Sequence, residues 1–289
     1  CTIHAERLSA ACTGQSVYRA DIISGRYAGS GTTPGRGAAP EGWDLLQAAL
    51  PASVCSVQSK GKFIFWNLES ADGSPISLWS TLGMTAAWSP VPTQHARVGL
   101  ELGAGDGQGG KWRLYFCDQR NFGTITVCTD AAKLEGKLAS LGPSWLPPGS
   151  LGLEEFQAIA RHQCRNKRGA AVPLAKFLMD QAKTSGIGNC KALSRAHALC
   201  EIYCGAVASH AHCAAVRISF LAADILSETL YLAQIWPFAR CGDLQDDDWV
   251  QIHAAASDVI ERVRAPAAFC YCARLVISLP ASLLTLPAP

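Results

Sequence analysis

The sequence has 289 residues, of which 49% are hydrophobic, so it can bury the cores of two globular domains and is not an intrinsically disordered chain. Its formal net charge of only +2 gives no argument for a partner that is bound through the overall charge of the protein, although a local surface of one charge is compatible with it. The 13 cysteines are odd in number and irregularly spaced, with no signal-peptide pattern before them, which predicts a reducing, intracellular compartment. No apolar run reaches the roughly twenty residues of a membrane span, so we expect no membrane partner.

The chain opens with a helical pattern. Residues 2–12 predict a short helix that ends at Gly14, with Ile3 and Leu8 facing inward. The same periodicity predicts an exposed position for Glu6, so this carboxylate is not assigned a catalytic role.

Strand patterns follow from residue 17 to residue 127. The nearly continuous apolar run 63–68 is typical of a strand covered on both faces. The runs 98–102 and 112–116 flank a glycine-rich loop, which predicts a hairpin. Several such strands separated by turns indicate a β-sandwich.

The second half of the chain changes to a helical period. A proline-rich linker is predicted at 142–150, between a β-sandwich domain at 1–141 and a mostly helical domain at 151–264. Three aspartates at 246–248 indicate a helix start, and the residues after them form one apolar face: Trp249, Ile252, Ala256, Val259, Ile260 and Val263. The predicted fold class is therefore α+β, with an atypical tail at 265–289.

A glycine turn, defined as residues 185–189, follows the helical pattern at 176–181. Gly186 and Gly188 permit positive φ and close approach of another backbone, and a helix start there would offer N–H groups to an anion. Six basic residues precede the turn against the single acid Asp180: Arg161, Arg165, Lys167, Arg168, Lys176 and Lys183. A phosphate site fits this pattern, and so do a simple helix C-cap and a solvated basic helix face.

Three blocks in order resemble the formamidopyrimidine-DNA glycosylase / endonuclease VIII family. Residues 178–181 and 186–189, Leu-Met-Asp-Gln and Gly-Ile-Gly-Asn, resemble its helix–two-turn–helix. The upstream matches to its N-terminal domain are 60–65, 80–85, 118–123 and 141–143. The downstream matches are 226–231, Pro237 and 242–244.

The resemblance implies a β-sandwich with a leading helix, then a mostly helical domain with the helix–two-turn–helix. It implies a DNA glycosylase with AP lyase activity that removes oxidised bases in base-excision repair, by base flipping and Schiff-base chemistry at an N-terminal amine. The implied partner is DNA, a duplex with an oxidised base or an abasic site, bound by a monomer in the nucleus or an organelle. No cofactor is implied.

The resemblance also implies roles for individual residues. Lys62 matches a lysine on the lesion-side phosphate, and its alternative is a solvated lysine at a strand end. Three residues match those that fill the gap left by the extruded base: Met84, Arg120 and Phe122. Lys176 and Asn189 match the phosphate-binding pair of the helix–two-turn–helix, and Glu228 matches an acid that supports it. Core packing is the alternative for Met84, and an exposed helical position is the alternative for Glu228.

The family pattern begins with Pro or Val followed by Glu, whereas this sequence begins Cys1-Thr2-Ile3-His4, about five residues further in by the position of the first helix. In the family the terminal amine attacks C1′ of the damaged nucleotide and the glutamate moves protons. An α-amine suits this role because its pKa of about 8 leaves a useful fraction neutral and nucleophilic at physiological pH. The alternative function is therefore a non-catalytic relative that binds damaged DNA.

Two further regions depart from the family. The family's zinc finger uses two Cys-x-x-Cys pairs, but Cys270-Tyr271-Cys272 has one intervening residue, so we expect no zinc finger and no metal. Residues 190–224 separate two blocks that are almost adjacent in the family, and they predict an inserted loop or translated intron sequence. A zinc site is the alternative there, from Cys190, Cys200, Cys204, His210, His212 and Cys213.

A third hypothesis for the protein is that it is a disrupted gene product that folds poorly around residues 190–224.

Overall fold

The computed structural model describes residues 1–34, 36–83, 85–104, 110–146, 149–188 and 225–264. The chain forms two compact units, one of Cys1–Glu155 with Lys176–Ile187 and one of Phe156–Ala175 with Gly188–Pro289. The predicted α+β class is confirmed, while the domain limits inferred from motifs stay a prediction. The segments 190–224 and 265–289, with the insertion, zinc and tail hypotheses attached to them, lie outside the described residues.

The first unit contains three complete α-helices, a short 3-10 helix (Gly25–Tyr27) and ten strands among its described residues. The helices are α1 (Thr2–Cys12), α2 (Trp43–Ala49) and α3 (Ala131–Ala139). The strands are β1 (Gln15–Ile22), β2 (Thr33–Pro34), β3 (Gly37–Ala38), β4 (Ala52–Lys60), β5 (Phe63–Ser70), β6 (Pro75–Thr81), β7 (Ala87–Ser89), β8 (Ala96–Ala104), β9 (Trp112–Cys117) and β10 (Thr124–Cys128). The second unit contains α5 (Lys167–Ala170), α7 (Ile225–Leu232) and α8 (Asp246–Arg264), while α4 (Leu153–Gln163) and α6 (Leu174–Met179) extend across the limits of the units.

Eight strands form one antiparallel sheet in the order β10-β6-β5-β4-β1-β8-β9-β7. Only two residue pairs join β1 to β4, so the sheet consists of two four-stranded halves. Trp66 on β5 and Trp88 on β7 would be roughly 24 Å apart in a flat sheet of this order. Their ring centroids are 5.5 Å apart, because the two halves fold over each other and enclose a common core. This is the β-sandwich that the sequence predicts.

Helix α1 packs on β4 and contributes Ala5, Leu8 and Cys12 to the core of the sandwich. Its predicted limits and the exposed position of Glu6 agree with the structure, whereas Ile3 is only partly buried. Burial raises the pKa of the Cys12 thiol to about 12, so this cysteine stays a neutral, apolar group at physiological pH. The cysteines of the described residues form no disulfide.

The second unit has its own apolar core. Phe156 of α4 and Trp249 of α8 are buried and meet edge to face, with ring centroids 5.8 Å apart. The apolar face predicted for α8 is buried at Trp249, Ile252, Ala256, Val259 and Ile260, and the side chain of Val263 lies outside the described residues. At the start of α8 the carboxylate of Asp248 accepts a hydrogen bond of 2.7 Å from the backbone N–H of Gln245, as in a capping box.

Within the described residues, no helix is long and apolar enough to cross a membrane. The same residues contain no group of three or more His, Cys, Asp or Glu side chains that could hold a metal ion.

One hydrogen bond between α1 and β7 makes the stability of the first unit depend on pH. The Nε2 atom of His4 accepts a hydrogen bond of 2.9 Å from the backbone N–H of Trp88, which requires a neutral imidazole. Burial is the main cause that lowers the pKa of His4 from 6.5 to about 4, and the positive charge of Arg7 acts in the same direction. The unfolded chain therefore binds a proton that the folded chain excludes when the pH falls below 6.5.

We expect His4 to contribute its full stabilisation above pH 6.5 and to lose on the order of 2 kcal/mol as the pH falls to about 4. His4→Gln keeps an acceptor for Trp88 but does not titrate, so its unfolding free energy should depend less on pH in this window. Urea unfolding between pH 4 and pH 7 measures the difference. His162→Gln, at an exposed position of α4, is the matched control, and pH profiles of His4→Gln that run parallel to those of the unsubstituted chain would contradict the assignment.

Candidate nucleic-acid interface

The turn between β4 and β5, residues 60–63 and here called the lysine hairpin, carries two cations. The strand pairing of Lys60 with Phe63 closes the turn, and Gly61 takes a positive φ of 58° at its tip. The Nζ atom of Lys60 donates a hydrogen bond of 2.8 Å to the carbonyl of Leu138, whereas Lys62 is exposed. Lys62 thus lies on the surface at the end of a paired hairpin.

The lysine hairpin packs against the segment that leads into the glycine turn. A Cβ atom on Gly61 would lie 2.7 Å from Cβ of Ser185 and 3.2 Å from both Oε1 of Gln181 and the backbone nitrogen of Gly186. The positive φ and the close approach both require glycine at position 61. The first unit therefore holds Lys62 and the start of the glycine turn next to each other.

One side-chain amide organises the described part of the glycine turn. The Oε1 atom of Gln181 accepts a hydrogen bond of 3.0 Å from Gly186, while its Nε2 donates to the carbonyls of Met179 and Ile187 at 3.0 and 2.9 Å. The buried hydroxyl of Ser185 donates a bond of 2.9 Å to the carbonyl of Gly142. These bonds fix the chain after α6 without a continuous helix.

The other predicted phosphate ligands are placed only in part. Lys176 is exposed on α6, and Asn189 lies outside the described residues, so their pairing stays a prediction. Glu228 lies on α7 next to the buried residues Thr229 and Leu230 and is itself partly buried. Its supporting role also stays a prediction.

A second site is the connection from β9 to β10, residues 118–123, here called the aromatic loop. Asp118 is 1% exposed, and its carboxylate accepts three hydrogen bonds. Its Oδ1 accepts from the hydroxyl of Thr85 at 3.0 Å and from the N–H of Arg120 at 3.1 Å, and its Oδ2 accepts from the N–H of Gly123 at 2.7 Å. The carboxylate therefore spans the loop from one end to the other.

Two arginines hold the same loop through its carbonyl groups. The Nε atom of Arg97 donates to the carbonyl of Asp118 at 2.8 Å, and one terminal nitrogen of Arg26 donates to the carbonyls of Asn121 and Gly123 at 3.0 and 3.2 Å. Asn121 takes a positive φ of 56°, which asparagine tolerates better than most residues. The hydrogen bonds from Arg97 and Arg26 thereby fix the backbone of the aromatic loop.

The loop between β6 and β7 lies against the aromatic loop. A Cβ atom on Gly83 would lie 3.0 Å from the carbonyl carbon of Phe122, and Thr85 donates to Asp118 as described above. Met84, between these two residues, lies outside the described residues. Both connections pass from one half of the sandwich to the other, because β6 and β10 belong to one half and β7 and β9 to the other.

The aromatic loop displays the two side chains that the resemblance identifies. Phe122 is 60% exposed although it is a large apolar residue, and Arg120 is exposed next to it. The residues that hold the loop were not identified from the sequence: Asp118, Arg26, Arg97 and Thr85. The one local sign of this arrangement in the sequence was the aspartate two positions before Arg120. Arg26, Arg97 and Thr85 come from distant parts of the chain, so no local pattern connects them with the loop.

We expect Gly61→Ala to destabilise the first unit by roughly 2 kcal/mol or more, because the methyl group adds a steric clash to the strain of a positive φ. Gly73→Ala is the matched control, since Gly73 also has a positive φ, of 80°, but a Cβ atom added there would have no atom within 4 Å. Gly73→Ala should lower the free energy of unfolding by about 1 kcal/mol, from the strain of the positive φ alone. Urea unfolding of both variants measures the difference, and equal losses would show that Gly61 is not in close contact.

No protein-family model matches the chain. Curated relatives do match its sequence: the formamidopyrimidine-DNA glycosylase of Acidiphilium cryptum is 29% identical over 151 residues, 52% of this chain and 48% of that protein. The enzyme of the same name from Thermus thermophilus is 30% identical over 137 residues, 47% of this chain and 44% of that protein. The chain thus spans about half the length of the curated relatives that it matches.

Solved structures share the fold. The Lactococcus lactis formamidopyrimidine-DNA glycosylase, in a non-covalent complex with DNA containing an AP site, has a TM-score of 0.61 at 15% identity and covers 90% of this chain and 78% of that one. The MutM (Fpg) protein of Thermus thermophilus has a TM-score of 0.58 at 22% identity, with 90% and 73% covered. The sequence matches, and a fold that agrees with them, support the resemblance of this chain to the formamidopyrimidine-DNA glycosylase / endonuclease VIII family.

Proposed function

We propose that this chain is part of a DNA glycosylase with AP lyase activity that removes oxidised bases in base-excision repair. The observation that carries the proposal is Phe122, which is 60% exposed on a loop whose backbone is held by hydrogen bonds. A large aromatic ring held in water indicates a surface that a partner covers. A flipped nucleotide leaves an apolar gap in the base stack, and proteins that bend DNA insert apolar side chains between base steps.

The cations near these loops suit the same partner. Arg120 can donate hydrogen bonds to the base that has lost its partner, while Lys62 on its hairpin and Lys176 on α6 can neutralise phosphates. Met84 and Asn189 complete the gap-filling and phosphate-binding sets by family resemblance. The proposed partner is duplex DNA with an oxidised base or an abasic site, bound by a monomeric protein in the nucleus or an organelle.

The proposed chemistry uses an N-terminal amine. The amine attacks C1′ of the flipped nucleotide, the damaged base leaves, and the resulting Schiff base allows elimination of the phosphate and a nick in the strand. A neighbouring glutamate transfers the protons. Because this sequence begins Cys1-Thr2-Ile3-His4, we propose this chemistry for a chain that carries the Pro-Glu or Val-Glu pair ahead of these residues. The alternative is a relative that binds damaged DNA without the nucleophile.

We expect Phe122→Ala to lower the affinity for a duplex with a stable abasic-site analogue by about tenfold, with little change for undamaged duplex, because only the former has a gap to fill. Fluorescence anisotropy with the two duplexes measures the ratio. Val91→Ala is the matched control, since Val91 is an apolar residue of the same unit and is 65% exposed. An unchanged affinity ratio for Phe122→Ala would remove Phe122 from the proposed interface.

We also expect borohydride to trap a covalent adduct between abasic-site DNA and a chain that carries the terminal Pro-Glu or Val-Glu pair, because borohydride reduces a Schiff base to a stable amine. Gel electrophoresis detects the adduct. The same chain with the terminal residue acetylated has no free amine and should give none. If the unblocked chain binds the DNA but forms no adduct, the damage-binding alternative is the correct function.

A further inference from the structure

Asp118 holds the aromatic loop through a buried carboxylate that accepts hydrogen bonds from two loops. A carboxylate that is 1% exposed has lost its hydration and is stable only when hydrogen bonds replace it. Its donors belong to two loops: Arg120 and Gly123 lie in the aromatic loop, and Thr85 lies in the connection from β6 to β7. A single ionised group therefore fixes both loops in one arrangement.

The bonds to Arg120 and Gly123 enclose the residues that would meet DNA. Phe122 lies between these two N–H groups, and the carbonyls of Asn121 and Gly123 are fixed by Arg26. The backbone on both sides of Phe122 is thus held before any partner binds. An unrestrained loop would have to lose backbone freedom on binding and could place the ring on the protein's own apolar surface instead.

We propose that Asp118 is a positioning residue for damage recognition: its buried carboxylate pre-organises the aromatic loop, so that Phe122 is presented to the gap in the base stack without a loop-ordering step. This inference rests on the proposed function and concerns how the same interface reaches its affinity. Pre-organised binding groups raise affinity because less conformational freedom is lost in the complex.

Asp118→Asn tests the inference with an almost isosteric change. The amide presents one acceptor and one NH₂ group, so it cannot accept hydrogen bonds on both sides, and one N–H of the loop then faces another donor. We expect an approximately tenfold lower affinity ratio between abasic-analogue and undamaged duplex. In hydrogen exchange, the amides of Arg120 and Gly123 should lose protection while the β-sheet amides keep theirs.

Asp72→Asn is the matched control, because Asp72 also accepts a backbone hydrogen bond, 3.1 Å from Ser74, but lies in the turn between β5 and β6. It should leave the affinity ratio and the exchange of the aromatic loop unchanged. Thr85→Val removes one donor to Asp118 and should lower the ratio by a smaller factor, about threefold. This second variant tests the inference even if Asp118→Asn does not fold.

A double-mutant cycle separates positioning from a general structural role. If Asp118 acts through Phe122, Asp118→Asn (or Thr85→Val in its place) should change the affinity ratio little in a Phe122→Ala background. An undiminished effect in that background, or a folded Asp118→Asn variant with an unchanged ratio, would overturn the inference. If Phe122→Ala alone leaves the affinity ratio unchanged, the proposed interface is wrong. Faster hydrogen exchange at Arg120 and Gly123 in Asp118→Asn would then show only that Asp118 holds the backbone of the aromatic loop, with no role in damage recognition.

Discussion

The hydrogen bonds of the Asp118 carboxylate are the constraint on which the candidate interface of the first unit depends. They replace the lost hydration of a buried charge and at the same time tie together two loops that are far apart in sequence. Removing the charge would leave backbone N–H groups without an acceptor, so the arrangement is strongly favoured over alternatives. The exposed position of Phe122 follows from that constraint rather than from its own packing.

The closure of the β-sandwich explains why these loops meet. The connections β6–β7 and β9–β10 each pass from one half of the sandwich to the other. When Trp66 and Trp88 bring the halves together in the core, both connections are brought to the same edge. The apolar core therefore positions the interface, and three polar groups decide the detailed course of the backbone: the buried Asp118 and Arg97 and the partly buried Arg26.

Glycine allows two close approaches in this unit. At Gly61 the lysine hairpin lies against Gln181 and Ser185, and at Gly83 one crossing loop lies against Phe122. Both glycines also take positive φ, so a side chain at either position would be unfavourable for two separate reasons. The proposed phosphate-binding and gap-filling parts thus each depend on a position without a Cβ atom.

The sequence by itself determined the leading helix, the strand-rich first half, the apolar face of α8 and the family motifs that contain Lys62, Arg120 and Phe122. These features are local, because periodicity and short motifs are carried by neighbouring residues. Only the tertiary structure decided which strands form each half of the sandwich and that Asp118 accepts hydrogen bonds from Thr85 and from both ends of its own loop. Those contacts join residues far apart in the chain, and their geometry is set by how the two halves of the sheet pack, which no local pattern contains.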